Sequence, residues 1–245
     1  GIAFFYDPDI ADDANSRYEL QSDLRGALDQ NQLELYYQPL VDTENRDVIA
    51  FEALLRWHHP LRGMIAPADF IPIAEETGLI VEIGEWALIR ACQEAVKWPD
   101  TIRVSVNLSP IQFERGNLYQ AVVNALRISG LAPHRLELEI TEGVLLRDEI
   151  NTRAILHNLR TLGARIALDD FGTAYASLSY LRSFPFDKIK IDRSFVRDLD
   201  VGKRKDCEAI IQAVAGLGKQ MQISTVAEGI ETLDQAQTVT AAGCN

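Results

Sequence analysis

Cysteine and histidine are scarce in this sequence: three Cys (Cys92, Cys207 and Cys244) and four His stand among 245 residues. The cysteine count is odd, the spacings are wide and no C-x-x-C occurs. That argues against a disulfide framework and against a zinc site. A reducing, cytoplasmic compartment fits this usage best. Long apolar runs are missing too. No stretch of 18 or more residues runs without charge, so no transmembrane helix is expected. The N-terminus lacks a basic segment followed by an apolar run, so no signal peptide is expected. A membrane anchor elsewhere in a longer protein stays compatible with both absences. Positive charge is also in short supply, with 24 Lys and Arg against 36 Asp and Glu and a net charge of −12. Long nucleic acid needs clustered cations and is therefore not an expected partner. A small phosphorylated ligand held through metal ions is still allowed. No G-x-G-x-x-G follows the first apolar strand pattern, which weakens a dinucleotide-fold reading.

What is present is an apolar fraction of 47%, enough for a sizeable core. The length suits one α/β barrel or two small domains. From residue 33 onward, strand and helix patterns alternate. Strands are expected at 33–40, 48–55, 102–108, 136–141, 164–169, 187–192 and 222–228. Helices are expected at 67–76, 80–97, 117–129, 151–162, 176–183, 206–219 and 232–242. Repeated β-then-α units indicate a parallel sheet covered by helices, and their number favours a barrel over an open sheet. Residues 1–30 differ. Asp7-Pro8-Asp9 reads as a turn, and Tyr18, Leu20, Leu24, Ala27 and Leu28 form one helix stripe. This segment is expected to be a linker helix behind the tail of an upstream domain, with the main domain at 31–245.

Acids and amides gather at or near the predicted strand ends: Glu52, Asn107, Glu139, Asp169, Asp170 and Glu228, with Lys190 among them. In a β/α barrel these ends converge on one face, where active sites lie. A helix cap or a surface ion pair would explain any single one of these residues. Six oxygen donors arriving together call for another account, because crowded carboxylates repel and resist desolvation. Hard divalent cations such as Mg²⁺ or Mn²⁺ remove that conflict, and no His or Cys joins the set to favour a softer metal. Adjacent Asp169 and Asp170 suit a two-metal centre, in which one carboxylate bridges both ions. The chemistry of these residues reaches a metal-dependent barrel hydrolase or lyase and does not identify the substrate.

The motifs then add a resemblance. Glu52-Ala53-Leu54-Leu55-Arg56-Trp57 resembles the signature of the EAL family of cyclic di-GMP phosphodiesterases. Tyr37-Gln38-Pro39, Phe70-Ile71-Pro72-Ile73-Ala74-Glu75, Asn107-Leu108-Ser109 and Glu139-Ile140-Thr141-Glu142 match further family motifs in order. So do Asp169-Asp170-Phe171-Gly172-Thr173, Lys188-Ile189-Lys190-Ile191-Asp192 and Ala227-Glu228-Gly229. The resemblance implies a TIM-like (β/α)8 barrel with an antiparallel first strand, and hydrolysis of cyclic di-GMP to linear pGpG by two Mg²⁺ or Mn²⁺ ions, with Ca²⁺ inhibiting. It implies that Glu52, Asn107, Glu139 and Asp169 bind one ion and that Asp169, Asp170 and Glu228 serve the second. Lys190 would orient the attacking water, with Glu52 and Glu228 also in the catalytic set. Gln38, Leu55 and Arg56 would meet the substrate. Glu142, Phe171 and Thr173 would couple the loop after Asp170 to a homodimer interface.

The sequence departs from the family pattern in three places. Ala174 and Ala176 replace a Gly and a Ser of the family loop, which opens an alternative reading as a catalytically weakened cyclic di-GMP receptor. The chain stops before the family's last strand and helix, so its C-terminus reads as truncated. The first residues resemble the tail and linker after a GGDEF domain, so a GGDEF or sensory domain is expected upstream.

Overall fold

The computed structural model describes residues 8–146, 149–172, 178–200 and 204–245. Its frame is one curled sheet of eight strands: β1 (Leu33–Val41), β2 (Val48–His59), β3 (Gly63–Ile65), β4 (Arg103–Asn107), β5 (Leu136–Thr141), β6 (Arg165–Phe171), β7 (Lys188–Ile191) and β8 (Ser224–Ala227). Neighbours follow the order β1-β2-β4-β5-β6-β7-β8, with β3 paired to β2 alone. β1 runs antiparallel to β2, and every pairing from β2–β4 to β7–β8 is parallel. The expected TIM-like architecture with an antiparallel first strand is therefore what the chain adopts, as a curled sheet. Among the described residues β1 and β8 do not pair. They face each other across a seam bridged by Thr43 Oγ1, which donates to the Cys244 carbonyl at 2.9 Å.

Helices cover the outside: α1 (Pro8–Ala27), α2 (Pro67–Thr77), α3 (Ile80–Ala95), α4 (Pro110–Arg115), α5 (Leu118–Ser129), α6 (Glu142–Leu145), α7 (Glu149–Leu162), α8 (Leu178–Ser183), α9 (Arg193–Arg197), α10 (Arg204–Met221) and α11 (Leu233–Ala241). Their apolar stripes explain their docking. On α3, Ile80, Ile83, Ala87, Leu88, Ala91, Cys92 and Ala95 recur at helical spacing and are all buried. β5 is buried along Leu136–Ile140, as expected of a strand covered on both faces. The main core gathers β4–β7 with the helices that cover them. A second apolar cluster joins Leu24 and Ala27 of α1 to Trp57 of β2 and Phe70 and Ile73 of α2. No described helix is long and apolar enough to cross a membrane.

Three local expectations are corrected. Pro8 opens α1 instead of sitting in a turn, because the first helical position needs no N–H from proline. β2 runs to His59, not 55, because antiparallel pairing with β1 and β3 extends it beyond its parallel neighbours. Glu52 therefore sits mid-strand rather than near a strand end. The short helices α4, α6 and α9 fall below the length at which periodicity identifies a helix. Of α4, the sequence signal was the Ser109–Gln112 capping box, which the fold realises in full.

Candidate functional site

Strand register brings the distant acids together. Glu52 on β2 lies opposite Gln38 on β1 and Ser105 on β4. Asn107 is paired with Glu139, and Thr141 with Asp169. Lys190 rises from the middle of β7, almost fully buried, and its ammonium is the hub of the cluster. Lys190 Nζ lies 2.6 Å from Glu228 Oε1, 2.7 Å from Glu139 Oε2, and 3.2 Å from both Glu52 Oε2 and Asp169 Oδ1. Asn107 Nδ2 donates to the other Glu52 oxygen at 2.7 Å.

Adjacent residues of a regular strand point to opposite faces, so Asp169 and Asp170 need a special backbone to serve one site. β6 supplies it. Its pairing with β7 steps from Leu168↔Ile189 to Phe171↔Ile191, which inserts one extra residue and makes a bulge. Asp170 takes a left-handed φ of 54°, a conformation that Asp tolerates better than most residues. Asp169, Asp170 and Glu228 thereby offer carboxylate oxygens all within 4.8 Å of one another. The Gly172 N–H donates to Glu142 Oε1 at 2.9 Å, which ties the start of the following loop to α6.

One ammonium does not balance four carboxylates. Burial, opposed by Lys190 but reinforced by Glu52 and Asp169, pushes the Glu139 carboxyl up to about 8. Burial, again opposed by Lys190 and reinforced by Asp169, pushes Glu228 up to about 7. Asp170 is also raised, by burial and then by Asp169 and Asp192. Burial works against the Lys190 charge, yet the carboxylates of Glu139, Asp169, Glu52 and Glu228 outweigh it and hold the ammonium protonated. Glu139 Oε1 is buried without a hydrogen-bond partner. A spare buried oxygen, excess negative charge and an all-oxygen donor set fit a hard divalent cation.

The site opens into a cleft of about 1330 Å³ that extends along the β1–β8 seam. Gln38, Glu52, Asp169, Asp170, Lys190 and Glu228 line it. Leu54 lines it as well, whereas Leu55 packs against the second apolar cluster. Arg56 is turned aside: its guanidinium donates to the Leu55 carbonyl at 2.8 Å and lies 5.4 Å from the Tyr36 ring centre. Phe171 is buried in the main core. Thr173, Ala174 and Ala176 lie outside the described residues. The other lining residues, which were not singled out as site residues in the sequence, include Asp192 and Arg193. The available signal was the Asp-Arg-Ser order after an apolar strand, an N-cap pattern: Asp192 accepts from Ser194 N at 3.0 Å.

The profile of the EAL domain matches residues 21–245. The chain belongs to the EAL domain family. Its relatives include MucR of Pseudomonas aeruginosa, a bifunctional diguanylate cyclase/cyclic di-GMP phosphodiesterase. MucR is 43% identical over 245 residues, covering 98% of this chain and 36% of MucR. The protein y4lL of Sinorhizobium fredii is 50% identical over 243 residues, which span 99% of this chain and 29% of that protein. The chain thus spans about a third of these relatives' lengths or less. A solved structure of the P. aeruginosa MucR phosphodiesterase in complex with c-di-GMP superposes with a TM-score of 0.88, at 44% identity and 93% coverage of both chains.

Proposed function

We propose that this EAL domain hydrolyses cyclic di-GMP to pGpG with two Mg²⁺ or Mn²⁺ ions. The observation that carries this reading is the cluster of four carboxylates around Lys190, with Asp170 brought in by the β6 bulge. Glu52, Asn107, Glu139 and Asp169 would hold one ion, and Asp169, Asp170 and Glu228 the other. When bound, such ions supply positive charge for the phosphoryl oxygens and ease deprotonation of water. Lys190, fixed by its carboxylates, orients the water that attacks phosphorus. Glu52 and Glu228 keep the ammonium in place and accept hydrogen bonds from that water. The P–O bond to the 3′ oxygen breaks, a proton passes to that oxygen, and a 5′-phosphate remains. Gln38 faces the cleft beside Glu52, where it would meet the substrate. Arg56 would swing from the Tyr36 ring to a phosphate, and Leu55 would back that movement from the apolar cluster.

The wider assignments belong to the same proposal. Residues 1–30 link to an upstream GGDEF or sensory domain, the protein works in the cytoplasm, and two copies pair near the Glu142–Gly172 bond. The chain would then read or erase a cyclic dinucleotide, with no role for long nucleic acid. Chromatography of cyclic di-GMP incubated with the purified protein tests it. Product is expected with Mg²⁺ or Mn²⁺, and none with Ca²⁺ or with Glu52→Ala. Tight ligand binding without product under any metal would overturn the enzyme reading in favour of a receptor.

A further inference from the structure

Two glycines at the site have a neighbour in common. Gly172, two residues after Asp170, has φ 99°, and a Cβ there would lie 2.8 Å from Phe195 Cε2 and 2.9 Å from Cζ. Gly229, next to Glu228, has φ 70°, and a Cβ there would lie 2.6 Å from Arg193 Cβ and 3.3 Å from its Cα. Both backbones therefore lie against α9, Gly229 at its first residue and Gly172 at the ring of its third, at distances that leave no room for a side chain. The strand before α9 continues the contact, since the Glu228 N–H donates to the Ile191 carbonyl at 3.1 Å. Asp192, which caps α9, lines the same cleft as Asp170.

α9 is itself firmly seated. Val196 is fully buried in the main core, and Leu199 in the turn that follows is 3% exposed. A short helix anchored from below thus touches the two segments that carry Asp170 and Glu228. We infer that α9, through the Phe195 ring and the Arg193 backbone, is the positioning wedge that sets the spacing of Asp170 and Glu228 for the second cation. Phe195 and Arg193 are positioning residues in this role, because they act through the carboxylates. The inference rests on the two-cation reading above and adds residues that reading did not contain.

Mn²⁺ binding to the whole protein, followed by calorimetry and by the electron-spin signal of free Mn²⁺, tests the wedge without any turnover. Phe195 is only partly buried, so Phe195→Ala is expected to fold, with a thermal midpoint close to that of the unaltered protein. It should keep one Mn²⁺ at its original affinity and bind the other at least about tenfold more weakly, the usual scale for loss of a supporting contact. Phe195→Met, long enough to reach Gly172 again, should recover most of that affinity. Gly229→Ala attacks the other contact at an exposed position and should weaken the same ion. Each variant decides alone if the other fails to fold. Two ions bound at unchanged affinity in Phe195→Ala or Gly229→Ala would overturn the wedge, as would equal weakening of both ions. No Mn²⁺ uptake by the unaltered protein would instead bring down the cation site itself, and the wedge with it.

Discussion

The strands that carry the site repeat its chemistry one layer down. Glu137 and Glu139 share a face of β5, and Lys188 and Lys190 share a face of β7, two residues apart in each case. The lower pair is balanced where the upper one is not. Glu137, fully buried, is bonded by Lys188 Nζ and by Ser105 Oγ at 3.0 Å, with Arg165 Nε at 3.7 Å. Burial alone would raise its carboxyl, but Lys188 and Ser105 overcome that and hold it below the usual Glu range. A depressed folded value means the unfolded chain binds the proton more tightly. The stabilisation is then complete above the ordinary Glu pKa and drains away as pH falls through the lower folded value. Lys188→Met leaves Glu137 charged and short of its main partner, so a loss of about 3–5 kcal/mol is expected in urea unfolding near neutral pH. Glu137→Gln should flatten the acid limb of the unfolding midpoint against pH. A midpoint in Lys188→Met equal to that of the unaltered protein would show that the pair stabilises nothing.

At the scale of elements, the bulge in β6 decides whether two adjacent aspartates serve one site. Its strain falls on Asp170 at φ 54°. Ala suffers more than Asn in the left-handed region, by about 1 kcal/mol. Asp170→Ala should therefore unfold at lower urea than Asp170→Asn, although both lose the same charge, and equal midpoints would deny the strain. This geometry also marks the limit of what was legible beforehand. The order of strands and helices could be read from apolar periodicity, and the acids stood out because oxygen donors repeat near strand ends. The bulge could not be read, because Asp is found as readily in turns and caps as in a left-handed strand position, and no Gly marks the place. Nor could the role of α9, whose five residues show no period and whose contacts run through glycines. Leu55 and Arg56 were named from a motif, and only packing shows Leu55 against the second cluster and Arg56 on Tyr36. The extension of β2 past residue 55 rests on β1 as far as Trp57 and beyond it on β3, whose three residues are too few to register as a strand in the sequence.

Across the whole molecule, the charge of −12 is not evenly borne. Four carboxylates face one ammonium inside the sheet, and there the protein holds repulsion that its surface acids do not. An acid whose folded pKa is raised destabilises the fold progressively as pH climbs from the ordinary Glu value through the folded one, about 8 for Glu139. Divalent cations should reverse that cost. At a hundred times the dissociation constant, binding to the folded state alone contributes about 2.7 kcal/mol. For a chain of this size that raises the thermal midpoint by roughly 5–10 °C. NaCl at matched ionic strength should do much less, because a buried cluster is poorly screened. Glu139→Gln separates the two contributions: at pH 8 the metal-free variant should melt above the metal-free parent, since one buried repulsive charge is gone, yet added Mn²⁺ should raise it by fewer degrees than it raises the parent, because only the Asp169–Asp170–Glu228 site keeps its full ligand set. A variant that melts lower than the parent and gains as many degrees from Mn²⁺ as the parent does would mean that Glu139 serves Lys190 and the core and holds no cation.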